Sequence, residues 1–207
     1  MRPPTRLLAL LDRRVLWRGP SGVKEVFLTF DDGPSPEATP HVLQVLADHE
    51  AKGTFFCLGE QAARWPELFE RLSAEGHAVG HHTWDHPDGW RTTSRSYLRN
   101  VLRGQGVTGG VLFRPPYGRI RPGVARKLHK RFQLVMWDVL SGDFKRGMTG
   151  RDCARGVLAR VRPGSIIVFH DNEKSFECLR EALPLVLDGL KRRGYRLGVL
   201  RPATRNP

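Results

Sequence analysis

The stretch Val26-Phe27-Leu28-Thr29-Phe30-Asp31-Asp32-Gly33-Pro34 decides how the rest of the chain is read. Its first five residues form an apolar, strand-like run. Two adjacent carboxylates follow, and Gly-Pro then forces a turn. Neighbouring acids repel each other, and a surface turn gains nothing from carrying both. A positive group is expected to hold them, and a metal ion is the usual one. The alternative is an ordinary acidic turn, because Asp and Gly-Pro are common turn formers.

Outward from this strand, short apolar runs alternate with helical patterns. Strands are expected at Val26–Phe30, Thr54–Leu58, His77–Val79, Leu112–Phe113, Leu134–Trp137, Ile166–Phe169 and Arg196–Val199. One helix is expected from Thr39, with Thr39 as its N-cap and Pro40 at the first helical position. Others are expected over Pro66–Ala74, Ser94–Leu102, Pro122–Lys130, Arg151–Val161 and Leu179–Arg193. Repeated strand–helix units imply an α/β fold with a mostly parallel sheet, and about seven strands could close into a barrel or stay open. In a parallel barrel, catalytic groups gather at the carboxyl ends of strands. Asp31 and Asp32, His81 and His82, Arg114, Asp138 and Asp143, and His170 with Asp171 all follow expected strands, so five strands would deliver polar groups to one rim.

The chain has 207 residues, 40% hydrophobic and 27% charged, which fits one soluble globular domain with a sizeable core. No linker, repeat or low-complexity segment divides it. The expected organisation is a basic segment over residues 1–22, a catalytic domain over 23–200 and a tail over 201–207. The net charge of +13 invites a nucleic-acid reading. The arginines are scattered, however, and no nucleic-acid motif accompanies them, so no specific nucleic acid is expected as partner. The charge would steer weakly toward an anionic substrate or membrane surface. Three widely spaced cysteines, Cys57, Cys153 and Cys178, are neither a disulfide framework nor a zinc site. A reducing compartment is the inference, with Cys57 a small core residue. Leu7–Leu11 begins like a signal peptide, but Asp12-Arg13-Arg14 interrupts it after five apolar residues. Leu8, Leu11 and Val15 recur at helical spacing, so an amphipathic helix packed on the domain is expected instead. A cytoplasmic or membrane-associated monomer follows from these readings.

His82-Thr83-Trp84-Asp85-His86 places two imidazoles at i and i+4, on one face if the segment is helical. With a strand-end carboxylate they make a common catalytic zinc set. His81 would point elsewhere on such a helix and stays outside the ligand set. Asp85 and Asp88 are read as capping or solvated acids. One of Asp31 and Asp32 suffices as ligand, leaving the other to take a proton from water activated by the metal. Arg114 would orient that base, and His170 would serve as general acid, with Asp143 or Asp171 favouring its protonated form.

Together these residues resemble the polysaccharide deacetylase family with the NodB-homology domain, the fourth family of carbohydrate esterases. The similarity runs from Val23 to Leu200, with the motifs in the family's order. It implies a distorted (β/α) barrel and metal-dependent hydrolysis of an N-acetyl, less often O-acetyl, group on a sugar. It also implies Asp31 as catalytic base, with Asp32, His82 and His86 holding a divalent metal, zinc first, with cobalt or nickel as alternatives. Arg114-Pro115-Pro116-Tyr117-Gly118 is similar to the third motif, where the arginine orients the base and the Tyr117 N–H holds an oxyanion. Trp137-Asp138 to Asp143-Phe144 resembles the fourth, implying a hydrophobic wall at Trp137 and an acid-tuning Asp143. Phe144 stands where the family often has tryptophan. Val168-Phe169-His170 resembles the fifth, with His170 as general acid and Val168 in the acetyl pocket. Pro115, Tyr117, Trp137 and Val168 are then the substrate contacts, and an acetylated glycan is the partner. Trp84, Trp90, Tyr117 and Trp137 could stack on sugar rings. A small acyl amide as substrate, or a non-catalytic basic binding module, are the competing readings.

Overall fold

A computed structural model describes residues 15–202. The expectations for residues 1–14 and 203–207 lie outside it. The strands are β1 (Val15–Leu16), β2 (Glu25–Asp31), β3 (Thr54–Cys57), β4 (Ala78–His81), β5 (Leu112–Phe113), β6 (Gln133–Val135), β7 (Val139–Leu140), β8 (Ile166–His170) and β9 (Arg196–Gly198). The helices are α1 (Thr39–Asp48), α2 (Gly59–Arg64), α3 (Pro66–Ala74), α4 (Ser94–Thr108), α5 (Pro122–Leu128), α6 (Gly150–Leu158) and α7 (Phe176–Arg192). The described strands all join one parallel sheet in the order β1-β6-β5-β4-β3-β2-β8-β7, with β9 beside the start of β2. The sheet curls into a distorted barrel left open between β1 and β7.

β2 lies inside this sheet, between β3 and β8, which is why it reads as a continuous apolar run. Val26, Leu28 and Phe30 face outward into the main core, against Val42, Leu43 and Leu46 of α1 and Leu179, Leu183, Val186 and Leu190 of α7. Each such side chain, fully buried, contributes about 1.5–3 kcal/mol. The alternate residues Phe27, Thr29 and Asp31 face the inside of the curl. Phe27 joins an inner cluster with Phe56, Leu112, Val135 and Ile166. The inner face of β2 therefore changes along its length from apolar to hydroxyl to carboxylate.

Several boundaries differ from expectation. β4 begins later and runs through His81, which places that residue in the sheet. β1 and β7, two residues each, carry too little pattern to be read from sequence. Val15, read as helical, pairs with Leu134 in the sheet. Thr39 is the first residue of α1 rather than its cap, because its hydroxyl donates to Asp171 and accepts from Ser35 N. α4 extends to Thr108 and stops at Gly109 in the left-handed conformation (φ 67°). Among the described residues, no helix is long and apolar enough to cross a membrane. All three cysteines are buried and unpaired, Cys57 within the main core.

Candidate metal centre and active site

Strand register brings the acid pair to its partners. β2 and β8 run parallel with Asp31 opposite His170, so both side chains lie on the inner face at the carboxyl end. Asp32 follows at φ 77° and turns away from the strand. Left-handed backbone is uncommon outside glycine. Among the described residues five non-glycines adopt it, and Asp32, Thr83, His86 and Tyr117 are four of them, all at this rim. Such conformations persist where surrounding structure over-determines them, and functional sites are where they collect.

His82–His86 is not helical. After β4 the chain forms a loop in which Thr83 (φ 76°) and His86 (φ 62°) make the reversals. The first two backbone amides of α2, Gly59 N and Glu60 N, donate to Thr83 O and Trp84 O. On α4, Asn100 accepts from Trp84 N at 2.8 Å, and Gly104 allows contact so close that a Cβ there would stand 2.4 Å from Thr83 O. This scaffold, not a helix face, brings the two imidazoles together. His81 points the other way, against Phe113 and Phe132, and burial lowers its pKa to about 3.

One ligand atom each from Asp32, His82 and His86 lie within 4.8 Å of one another. Asp32 Oδ1 is 3.4 Å from His86 Nε2 and 3.7 Å from His82 Nε2, too far for good hydrogen bonds. Ligand bonds of about 2.0–2.2 Å in a tetrahedral zinc site put ligand atoms about 3.4 Å apart. Asp32 Oδ1 is also buried without a hydrogen-bond partner, which a cation would supply. His82 Nδ1 donates to Arg114 O at 2.7 Å, which fixes the tautomer and turns Nε2 toward Asp32. Burial, with the nearby His86 and Arg114, holds the His82 pKa well below its ordinary value, so the ring is neutral, the form that can coordinate a cation. Asp32 Oδ2 accepts from Asn172 Nδ2 at 2.8 Å. The residues present therefore fit a divalent cation.

Arg114 is fully buried. Its Nη1 donates to Asp31 Oδ1 at 2.6 Å and to Thr29 Oγ1 at 2.7 Å, and Nη2 to Met136 O at 3.2 Å. The guanidinium lies 4.0 Å over the Phe56 ring. Gly80 makes room for that ring, since a Cβ there would meet it at 2.8 Å. Burial raises the Asp31 pKa, opposed by the charge and hydrogen bond of Arg114. Leaving either partner alone would strand a buried charge.

His170 Nδ1 donates to Asp143 Oδ1 at 2.8 Å, and His170 N to Asp143 Oδ2 at 2.7 Å. Asp143 also accepts from Ser141 Oγ and Phe144 N. Burial opposes a charged ring, but the hydrogen bond and charge of Asp143, with Asp32 and Asp31 nearby, push the His170 pKa up to about 9. Phe144 meets the His170 ring edge-on at 5.0 Å. Asp171 does not serve His170. It braces the Asp31–Pro34 turn, accepting from Gly33 N and Thr39 Oγ1, and burial drives its pKa up to about 8.

Asp138, placed at the rim by sequence, is at the other end. It accepts from Ile166 N and Ser165 Oγ at the start of β8 and pairs with Arg18 and Arg162. Asp85 and Asp88 are loop anchors, Asp85 accepting from Asn100 and Asp88 from Trp90 N and Arg119. Val168 lies on the inner face opposite Thr29, Pro115 is buried, and Trp137 is half-buried with its ring 5.7 Å from the Arg114 guanidinium. Sequence reading missed Asn172, Ser141 and Asn100. The only local signal for Asn172 was its place in the polar run His170-Asp171-Asn172 after an apolar strand.

The polysaccharide deacetylase family matches residues 18–136. A peptidoglycan-N-acetylglucosamine deacetylase of Bacillus cereus is 33% identical over 190 residues, covering 88% of this chain and 69% of the relative. A chitooligosaccharide deacetylase of Bradyrhizobium is 35% identical over 196 residues, covering 86% and 89%. The chain spans only 37% of a longer Listeria monocytogenes deacetylase, PgdA, to which it is 36% identical. Among solved structures, the Bc1960 peptidoglycan N-acetylglucosamine deacetylase superposes with a TM-score of 0.88 at 30% identity, covering 93% of this chain and 94% of that one. With the curled parallel sheet and its rim of acids and histidines, these likenesses lead to one conclusion: the chain belongs to the polysaccharide deacetylase family, carbohydrate esterase family 4.

Proposed function

We propose that the chain is a metal-dependent hydrolase that removes the acetyl group from N-acetylglucosamine residues of peptidoglycan or chitooligosaccharides. The observation that carries this reading is the meeting of three units at one rim: Asp31 with Arg114, the Asp32-His82-His86 donor set, and His170 with Asp143. Asp32, His82 and His86 would hold the cation, with zinc the first choice for two imidazoles and a carboxylate, and cobalt or nickel the alternatives. When bound, such a cation lowers the pKa of a coordinated water from 15.7 toward about 7 and polarises a carbonyl oxygen.

Asp31 is the base. Arg114 occupies its Oδ1, which leaves Oδ2 to take the proton of the attacking water. His170 has Nδ1 committed to Asp143, so Nε2 carries the proton given to the leaving amine. Its pKa of about 9 keeps it charged at neutral pH. The Tyr117 N–H would hold the developing oxyanion, while Pro115, Trp137 and Val168 wall the acetyl group. Water's oxygen becomes part of acetate, and the sugar leaves as a free amine.

The test is acetate release from chitooligosaccharides, peptidoglycan fragments and small acyl amides, with metal-loaded and chelator-stripped protein. Asp31→Asn should retain the metal and lose activity by about 10²–10⁴-fold, the usual worth of a general base. Asp32→Ala should lose the metal as well, by elemental analysis. Undiminished release from stripped protein would overturn the reading.

A further inference from the structure

Trp90 is 59% exposed, although tryptophan is highly buried on average. Its backbone is nonetheless fixed on both sides. Trp90 N donates to Asp88 Oδ1 at 2.9 Å, and Trp90 O accepts from Arg121 Nη2 at 2.8 Å. Gly89 lies so close to the neighbouring loop that a Cβ would stand 2.2 Å from Arg119 O. An open indole thus sits on a held backbone. The Arg119 guanidinium, anchored to Asp88 Oδ2 at 2.5 Å, lies 5.0 Å from the Trp90 ring and 5.6 Å from the Tyr117 ring. Tyr117 is also 59% exposed, and its ring meets that of His86 at 4.5 Å. A ledge of exposed faces therefore runs outward from the donor set. Trp84, by contrast, is covered by Arg103 at 3.7 Å, and Trp137 is half-buried against Gly118.

We propose that Trp90 and Tyr117, bridged by Arg119, form a sugar-binding subsite for the pyranose next to the one being deacetylated. This rests on the deacetylase reading above. The C–H face of a pyranose is apolar and weakly positive, so it packs on the negative face of an aromatic ring. Its hydroxyls are acceptors that suit guanidinium donors at the edge of the ledge. Because the loop is already held, little ordering opposes binding. A sugar lying beyond the reacting amide is bound alike in ground and transition states, so the ledge acts on KM and not on kcat. Only substrates longer than one sugar reach it. The consequence is preference for chains over the single N-acetylated sugar.

The experiment measures kcat and KM for acetate release from N-acetylglucosamine and from its β-1,4-linked tetramer and pentamer. Pentamer binding is measured in parallel by calorimetry, which needs no turnover. Trp90→Ala should raise the pentamer KM and weaken its binding by about tenfold, the loss typical of truncating an aromatic anchor. Trp90→Phe should recover most of that loss. Val107→Ala, an exposed truncation near the far end of α4, serves as the control and should change nothing. Failure of the wild type to release acetate from any glycan would refute the deacetylase reading and with it the subsite. Release from the wild type, combined with a pentamer KM and affinity that Trp90→Ala leaves unchanged, would refute the subsite alone. A Trp90→Phe variant as weak as Trp90→Ala would also refute ring stacking.

Discussion

Replacing Asp143 by Asn tests the pairing that charges His170. The ring starts from an ordinary pKa of 6.5, burial pulls it down, and the hydrogen bond and charge of Asp143 are the main forces lifting it to about 9. Without that charge the pKa should fall to 6.5 or below. In the proposed mechanism His170 must be protonated to work, so the alkaline limb of kcat/KM should move down by about two units or more. At pH 8 a ring of pKa 9 is about nine-tenths protonated and one of 6.5 about 3%, a loss of about thirtyfold. At pH 6 the same comparison gives less than about a twofold loss. A bound cation would lower both limbs together, so the separation between them is the quantity to read. The variant also leaves His170 N–H without its acceptor, a destabilisation of about 1–3 kcal/mol, which thermal melting would register separately. The assay is acetate release from pH 5.5 to 10 for both proteins. An equal loss at pH 6 and pH 8 would refute the reasoning, because Asp143 would then not act through the proton on His170.

Two further outcomes follow from packing and burial. Gly104→Ala should lower the melting temperature and weaken the binding of added zinc, though it touches none of the three proposed ligands, because the new Cβ meets Thr83 O at 2.4 Å and displaces the loop bearing His82 and His86. Gly106→Ala on the same helix meets nothing within 4 Å and should stabilise by about 0.5–1 kcal/mol, so a stabilising Gly104→Ala would sink the argument. Folded Asp171 holds its proton up to about pH 8, while the ordinary value is 3.8. The unfolded chain then binds fewer protons, so the stability this group contributes is full below 3.8 and is lost as pH rises through about 8. Asp171→Asn removes that titration, and its melting temperature should gain on the wild type from pH 5 to pH 9. A pH-independent difference between the two would rule this out.

Much of the fold was legible because its central strands are buried on both faces and read as unbroken apolar runs, as in Val26–Phe30 and Ile166–Phe169. The acids and histidines that interrupt such runs marked the rim for the same reason: a polar group at the end of a buried strand needs a partner. Asp138 shows the limit of that rule, because its partners Ser165 and Ile166 stand at the opposite end of β8. Local pattern could not decide the conformation of His82–His86, whose i, i+4 spacing suits a helix but whose rings meet through left-handed backbone at Thr83 and His86 held by α2 and α4.

By itself, then, the sequence determined the parallel α/β class, the central strand and the residue types able to form a metal and acid–base site. Tertiary structure decided which of those residues meet. Arg114 reaches Asp31 across 83 positions of chain, and Asn172 reaches Asp32 across 140. The Asp31–His170 pairing depends on strand register. Hydrophobic periodicity is a short-range signal, whereas burial, register and the partners of a charged group belong to the assembled sheet. That is why the sequence could name the actors while only the packed structure separated Asp143 from Asp171 as the partner of His170.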